Sequence, residues 1–341
     1  MAKIKLTCPH CGQSFGCSTR YRGKQIGCPA CKHLVPLPRR RKLFLPLLAA
    51  VVVLFLATFV WLIWPMGARW PDRRPIGMLF LASDGHVSAT NPRGWFNDEK
   101  LDVTGKGGPE QFKKELLEYA ATSITNLQRL GAQGVIVWDV EGEQFPHKIS
   151  FIGDPRLTDW MAPEMAPVVN EFFKRFRDAG LRVGVTIRPQ QIAFDNGLPR
   201  QAPVLDITEV LRDKIDFART NWGATMFYID SNDGLWRPDE VIQLRLLAKE
   251  RPDVLLIPEH HALPYWAFSV PYVSLRRGNG DWTTGFARKL FPSALQVLDI
   301  GDASNDSVVA AWRRGDILLF RAWYWNDDCD LVQSFEHNNK P

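Results

Sequence analysis

Eight short β-rich runs separated by amphipathic stretches, with acidic residues at or just past their ends, predict a (β/α)₈ barrel. The runs are Ile76–Ala82, Gly134–Val140, Arg182–Arg188, Thr225–Asp230, Val254–Ile257, Tyr272–Leu275, Ala294–Leu298 and Asp316–Phe320. Amphipathic helices are expected at Glu110–Leu130, Ala166–Ala179, Ile207–Asn221, Glu240–Glu250 and Ser304–Arg314. The stretch Phe173–Gly180 ends on a helix-terminating glycine before the next run, as a repeating β/α unit requires. Roughly 270 residues follow Trp70, close to the size typical of this fold. An open doubly wound sheet is the competing topology, but the first turn lacks a glycine-rich phosphate loop. The barrel is assigned residues 76–341.

Three segments precede it. In residues 1–38, Cys8-Pro-His-Cys11 and Cys28-Pro-Ala-Cys31 each present two thiols on a short knuckle. Four thiolates at this spacing can close a tetrahedral shell around Zn²⁺, although iron can occupy the same sulfurs. Cys17 stands outside the pairs. With Gly23-Lys-Gln-Ile-Gly-Cys28 leading into the second knuckle, the segment resembles the short zinc ribbons of bacterial proteins. The resemblance implies a structural metal and no chemistry, because four thiolates leave no open coordination position.

Residues 43–64 carry no charge and follow Arg39-Arg40-Arg41-Lys42. About 20 apolar residues span a hydrocarbon core, so one transmembrane helix is expected here. The preceding basic residues place the N-terminus in the cytoplasm and the barrel outside, making a single-pass protein of the cytoplasmic membrane. A cleavable signal peptide fits less well, since its apolar core and charged region are both shorter. Residues 65–75, with Pro65, Pro71 and Pro75, read as a stiff stalk. The first 42 residues carry ten Lys or Arg and no acid, while the remainder is net acidic. That balance gives the barrel no nucleic-acid footprint and leaves any basic partner surface, or cytoplasmic partner, to the ribbon.

If the runs are barrel strands, their last residues meet at one mouth. The second run delivers Asp139 and Glu141, and the third Arg188 and Gln190. The fourth delivers Tyr228, Asp230 and Asn232, and the fifth Glu259 and His260. The seventh delivers Asp299 and Asp302, and the eighth Arg321 and Trp323. Cleavage of a glycosidic bond needs two carboxyl groups, one ionised and one protonated. Asp230 and Glu259 are the candidate pair: neighbouring strands bring them to about 4.8 Å spacing. Ser231 and Asn232 favour the ionised form of Asp230, and the dry Leu-Leu-Ile-Pro run before Glu259 favours its protonated form. Asp139, Glu141, Arg188, Gln190, Tyr228, Asn232, His260, Asp302 and Trp323 are candidate substrate contacts. Opposite rims, or burial of either acid against a permanent cation, would count against this pair. No cofactor is expected in the barrel.

Phe227-Tyr-Ile-Asp-Ser-Asn232 resembles the nucleophile strand of the retaining barrel α-glycosidases, of the α-amylase and α-galactosidase types. In the α-amylase type an Asp ends strand four, a Glu strand five and an Asp strand seven, an order matched by Asp230, Glu259 and Asp299 or Asp302. Two departures stand out: Tyr228 occupies the position of that type's arginine, and the sixth run leads into Arg276, Arg277 and Asp281 rather than an acid suited to the α-galactosidase type. The resemblance implies a glycoside hydrolase acting on a glycan, with no particular sugar. A barrel that binds carbohydrate without turnover is the alternative. A metal-dependent hydrolase ranks lower, since no H-x-H ends the first run and no H-E-x-x-H occurs.

Overall fold

The computed structural model describes residues 3–21, 23–37, 44–64, 70–83, 86–143, 152–196, 198–233, 237–260, 262–274, 282–300 and 305–321. Two compact units emerge, Met1–Trp61 and Leu62–Pro341.

In the first unit, β1 (Lys3–Thr7) pairs antiparallel with β2 (Ser14–Ser18), and β3 (Gln25–Gly27) with β4 (Leu34–Pro36). Each hairpin turns through one cysteine knuckle, and the two turns are built alike. The Cys8 N–H donates to the Gln13 carbonyl at 2.9 Å, and the Cys28 N–H to the His33 carbonyl at 2.8 Å. Four residues after each leading cysteine the chain turns left-handed, at Gly12 (φ 72°) and Lys32 (φ 60°), whose N–H groups return to the Cys8 and Cys28 carbonyls.

The membrane span expected over 43–64 is not upheld. A helix forms there, α1 (Phe44–Ile63), but no helix among the described residues is long and apolar enough to cross a membrane. The single-pass topology, cytoplasmic N-terminus and external barrel inferred from that span fall with it. The expected stalk is also corrected. Trp70 is buried in the barrel interior and donates to Gln133 Oε1 at 2.8 Å, and Asp72 pairs with Arg182 at 2.6 Å. Residues 70–75 therefore pack against the barrel's N-terminal end, while 65–69 lie outside the described residues.

The second unit alternates strand and helix: β5 (Ile76–Phe80), α2 (Gly108–Arg129), β6 (Gly134–Trp138), α3 (Thr158–Met161), α4 (Val169–Asp178) and β7 (Arg182–Ile187). A hairpin follows, β8 (Gln191–Asp195) with β9 (Leu198–Ala202), then α5 (Ile207–Trp222), β10 (Ala224–Ile229), α6 (Pro238–Glu250) and β11 (Leu255–Pro258). The last elements are β12 (Tyr272–Ser274), α7 (Trp282–Leu290), β13 (Val297–Asp299), α8 (Asn305–Arg313) and β14 (Ile317–Phe320). Eight parallel strands run in the order β11-β10-β7-β6-β5-β14-β13-β12, so the expected barrel is nearly closed. The hairpin and α7 were not expected from the sequence.

Closure stops between β11 and β12, where the Val270 N–H reaches the Leu256 carbonyl at 3.0 Å. Pro258 and Pro271 flank that seam and have no N–H to extend a ladder. Elsewhere the strands are apolar on both faces, as parallel strands covered by helices must be. One set, including Ile76, Met78, Ile136, Met226, Tyr228, Ile257, Val297 and Leu319, fills the barrel interior, with Phe80, Trp138 and Tyr272 packed on it. The alternating set, including Val135, Val137, Val185, Phe227, Leu256 and Leu318, packs under Phe112, Phe172, Phe176 and Leu211 of the helices. Gly184 is required where β7 meets β10: a Cβ there would lie 2.3 Å from the Met226 carbonyl oxygen.

Candidate active site

Register places a row of three charged residues across one edge of the mouth. Ile187 aligns with Ile229, and Ile229 with Pro258. The next residues on the three strands are Arg188, Asp230 and Glu259. Backbone bonds extend the ladder to this row: the Asp230 N–H donates to the Ile187 carbonyl at 2.9 Å and the Glu259 N–H to the Ile229 carbonyl at 3.1 Å. The predicted carboxylate pair is therefore on neighbouring strands and not on opposite rims.

The two acids have different surroundings. Asp230 is buried, and its Oδ2 accepts from Arg188 Nε and from Ser231 Oγ, the latter at 3.1 Å. Oδ1 takes no part in either bond. Burial against a permanent cation, the condition set against the pair, is thus met for Asp230. Glu259 is half-buried, with Oε2 accepting the Ser231 N–H at 2.9 Å. Partial burial pushes its carboxyl above the usual range, the Ser231 N–H opposes the rise, and the charge on Asp230 adds to it.

Below the row the barrel is floored by rings. Phe80, Trp138, Tyr228 and Tyr272 succeed one another at centroid distances of 5.3, 5.4 and 5.4 Å. Tyr228, expected to touch substrate, is instead a buried member of this floor, and burial raises its phenol far above the ordinary range. Beyond Tyr272 is a second ion pair: Asp299 accepts from Arg321 Nη2 at 2.7 Å and from the Tyr272 hydroxyl at 2.7 Å. Asp299 is fully buried, which makes it a support for Arg321 rather than an accessible acid.

Other expected contacts prove to be struts. Asn232 is fully buried; its amide donates to the His260 carbonyl at 2.8 Å and accepts the His260 N–H at 2.9 Å. It ties the end of β10 to the end of β11. His260 Nδ1 bonds the Asn232 carbonyl at 2.6 Å, so Nδ1 carries the proton; the ring is exposed and Nε2 lies 3.9 Å from Glu259 Oε2. Gln190 donates to the Ser231 carbonyl at 3.0 Å and shapes the loop.

Asp139 and Glu141 are buried behind the row. Asp139 holds a left-handed backbone (φ 59°), and burial together with Glu143 and Glu141 pushes its carboxyl well above the usual range. Burial pushes Glu141 up to about 7. Lys214, which the sequence reading did not single out, is fully buried beneath them. Its Nζ donates to the carbonyls of Gly153, Arg188 and Gln190 at 3.1, 2.8 and 2.8 Å, and lies 3.5 Å from Asp154. Burial lowers its ammonium to about 8. The other residues missed were Tyr272 and the exposed edge-to-face pair Trp160–Phe194, 4.2 Å apart on α3 and β8. Ser231 was expected to act on Asp230 alone, and its N–H also holds Glu259. Asp302 and Trp323 lie outside the described residues.

In the first unit, the sulfurs of Cys8, Cys11, Cys28 and Cys31 all lie within 4.8 Å of one another, close enough to bind one metal ion. Backbone N–H groups, led by that of Cys31, lower the Cys28 thiol to about 7, while hydrogen bonds to the other three thiols help push Cys11 up to about 12. No second group of His, Cys, Asp and Glu side chains gathers this closely among the described residues.

No protein-family model matches the chain, and no curated protein matches it. Among solved structures, a maltogenic α-amylase from Thermotoga neapolitana is similar at 12% identity over 77% of this chain and 74% of its own, with a TM-score of 0.47. An α-amylase from H. orenii is similar at 12% identity over 74% and 69%, with a TM-score of 0.44. An α-L-fucosidase from Paenibacillus thiaminolyticus is similar at 12% identity over 77% and 72%, with a TM-score of 0.41.

Proposed function

We propose that the barrel cleaves or transfers a glycosidic bond of a glycan, using Asp230 and Glu259. The observation that carries this reading is the Arg188–Asp230–Glu259 row, which sets two carboxyl groups side by side on neighbouring strands at the mouth. Partial burial and the charge on Asp230 favour a protonated Glu259, as a general acid needs. The roughly 4.8 Å between neighbouring strands suits the short carboxyl separation of a double displacement. Glu259 gives its proton to the leaving oxygen while Asp230 Oδ1 bonds the anomeric carbon. Glu259, now ionised, takes a proton from water as that water displaces Asp230, and the free sugar and both starting carboxyl states are restored. The accessible His260 ring would contact sugar hydroxyls.

Asp230→Asn and Glu259→Gln test this reading against a broad glycan panel, with hydrolysis and binding measured separately. Loss of turnover by at least a thousandfold with binding retained supports it. The burial of Asp230 behind Arg188 favours a second reading, a barrel that binds glycans without cleaving them. Binding by a parent protein that turns over no glycan would establish that second reading instead.

For the ribbon we propose Zn²⁺ on Cys8, Cys11, Cys28 and Cys31. Four clustered thiols on two matching turns suit a tetrahedral structural site, and such a site stabilises the fold without chemistry.

A further inference from the structure

We propose that Ser231 is a positioning residue that ties Asp230 and Glu259 into one unit with a fixed gap, an inference that rests on the glycosidic reading. Three observations carry it. The Ser231 hydroxyl donates to Asp230 Oδ2 at 3.1 Å and its backbone N–H donates to Glu259 Oε2 at 2.9 Å, so one residue holds an oxygen of each acid. Its backbone is left-handed at φ 55°, a conformation unfavourable for a residue with a side chain and found where structure serves a site. Its carbonyl is held by Gln190 Nε2 at 3.0 Å, and the Gln190 carbonyl is held in turn by the buried Lys214 at 2.8 Å. The bridge is therefore braced from β7 and α5 as well as from its own strand.

Charged and titratable groups act on the pair from every side. Arg188 comes from the end of β7, Asp139 from the loop after β6, His260 from the end of β11 and Tyr228 from within β10. Arg321 acts on Tyr228 from the end of β14. Ser231 bonds both acids, and its N–H limits how strongly Glu259 retains its proton.

Ser231→Gly keeps the left-handed backbone and the N–H bond to Glu259 but removes the hydroxyl. The expected result is a fall in kcat of about tenfold with little change in KM. Ser231→Asn, which also tolerates this backbone and carries a side-chain N–H donor, should recover part of the loss. Isotope-edited infrared titration of the carboxyl groups in the full chain gives a readout that needs no turnover. If Ser231→Gly shifts that titration but the parent cleaves no glycan, the bridge stands and the glycosidic reading fails. If the parent is active and Ser231→Gly leaves both kcat and the titration unmoved, the bridge is refuted and the glycosidic reading survives.

Discussion

Glu141 illustrates what burial does to an acid beside a site. Its carboxyl keeps its proton up to about pH 7 in the fold, against an ordinary value of 4.5. Between those values the folded chain binds more protons than the unfolded one, so this group's contribution to stability falls as pH rises through the window. The change is on the order of 3 kcal/mol. Urea unfolding at pH 4.5 and 7.5 should show that decline, and Glu141→Gln should flatten it; an unchanged slope would assign the decline to other groups. Lys214 has the opposite sign. Its ammonium is lowered to about 8 from 10.5, so its contribution grows as pH rises between the two. The neighbouring placement of Asp230 and Glu259 was readable in the sequence because each follows an apolar run ending at the mouth. The burial of Asn232 and Tyr228 was not, since position along a strand does not tell which polar groups find protein partners.

The two knuckles are the smallest elements with a clear prediction. Metal analysis of the full chain should find one Zn²⁺ per molecule, with Cys28→Ser reducing it to near zero. Chelation should unfold the ribbon while leaving glycan turnover unchanged. Turnover lost on chelation, with the ribbon variant fully active, would move the metal chemistry into the barrel. Spacing made the clustering of the four cysteines legible because a four-residue C-x₂-C turn carries its geometry locally. The hairpin β8–β9 was missed because its runs hold few apolar residues, and Ile192 packs with Ile152 and Met161 in a small cluster apart from the main core. The helix α7 was missed because its apolar residues are few and its sequence, Trp-Thr-Thr-Gly-Phe-Ala-Arg-Lys-Leu, includes a glycine.

Across the chain, all eight runs became barrel strands, because a parallel strand covered on both faces leaves a dense apolar signature that needs no partner to be recognised. The span over 43–64 rested on composition alone and was not upheld. The seam was not legible either, since a missing ladder is a property of two segments, although Pro258 and Pro271 mark it afterwards. Hydrogen exchange should reflect it: amides of β11 and β12 facing the seam should exchange at least tenfold faster than those between β7 and β10. Equal protection would mean that the barrel closes fully in solution.

That seam has a mechanical consequence. Glu259 sits at its edge, but its strand is bonded along its other side to the strand of Asp230, and Ser231 and Asn232 clamp the two ends together. Breathing along this line would part β11 from β12, admitting a bulky ligand from the flank, while the two acids travelled together like teeth on one jaw.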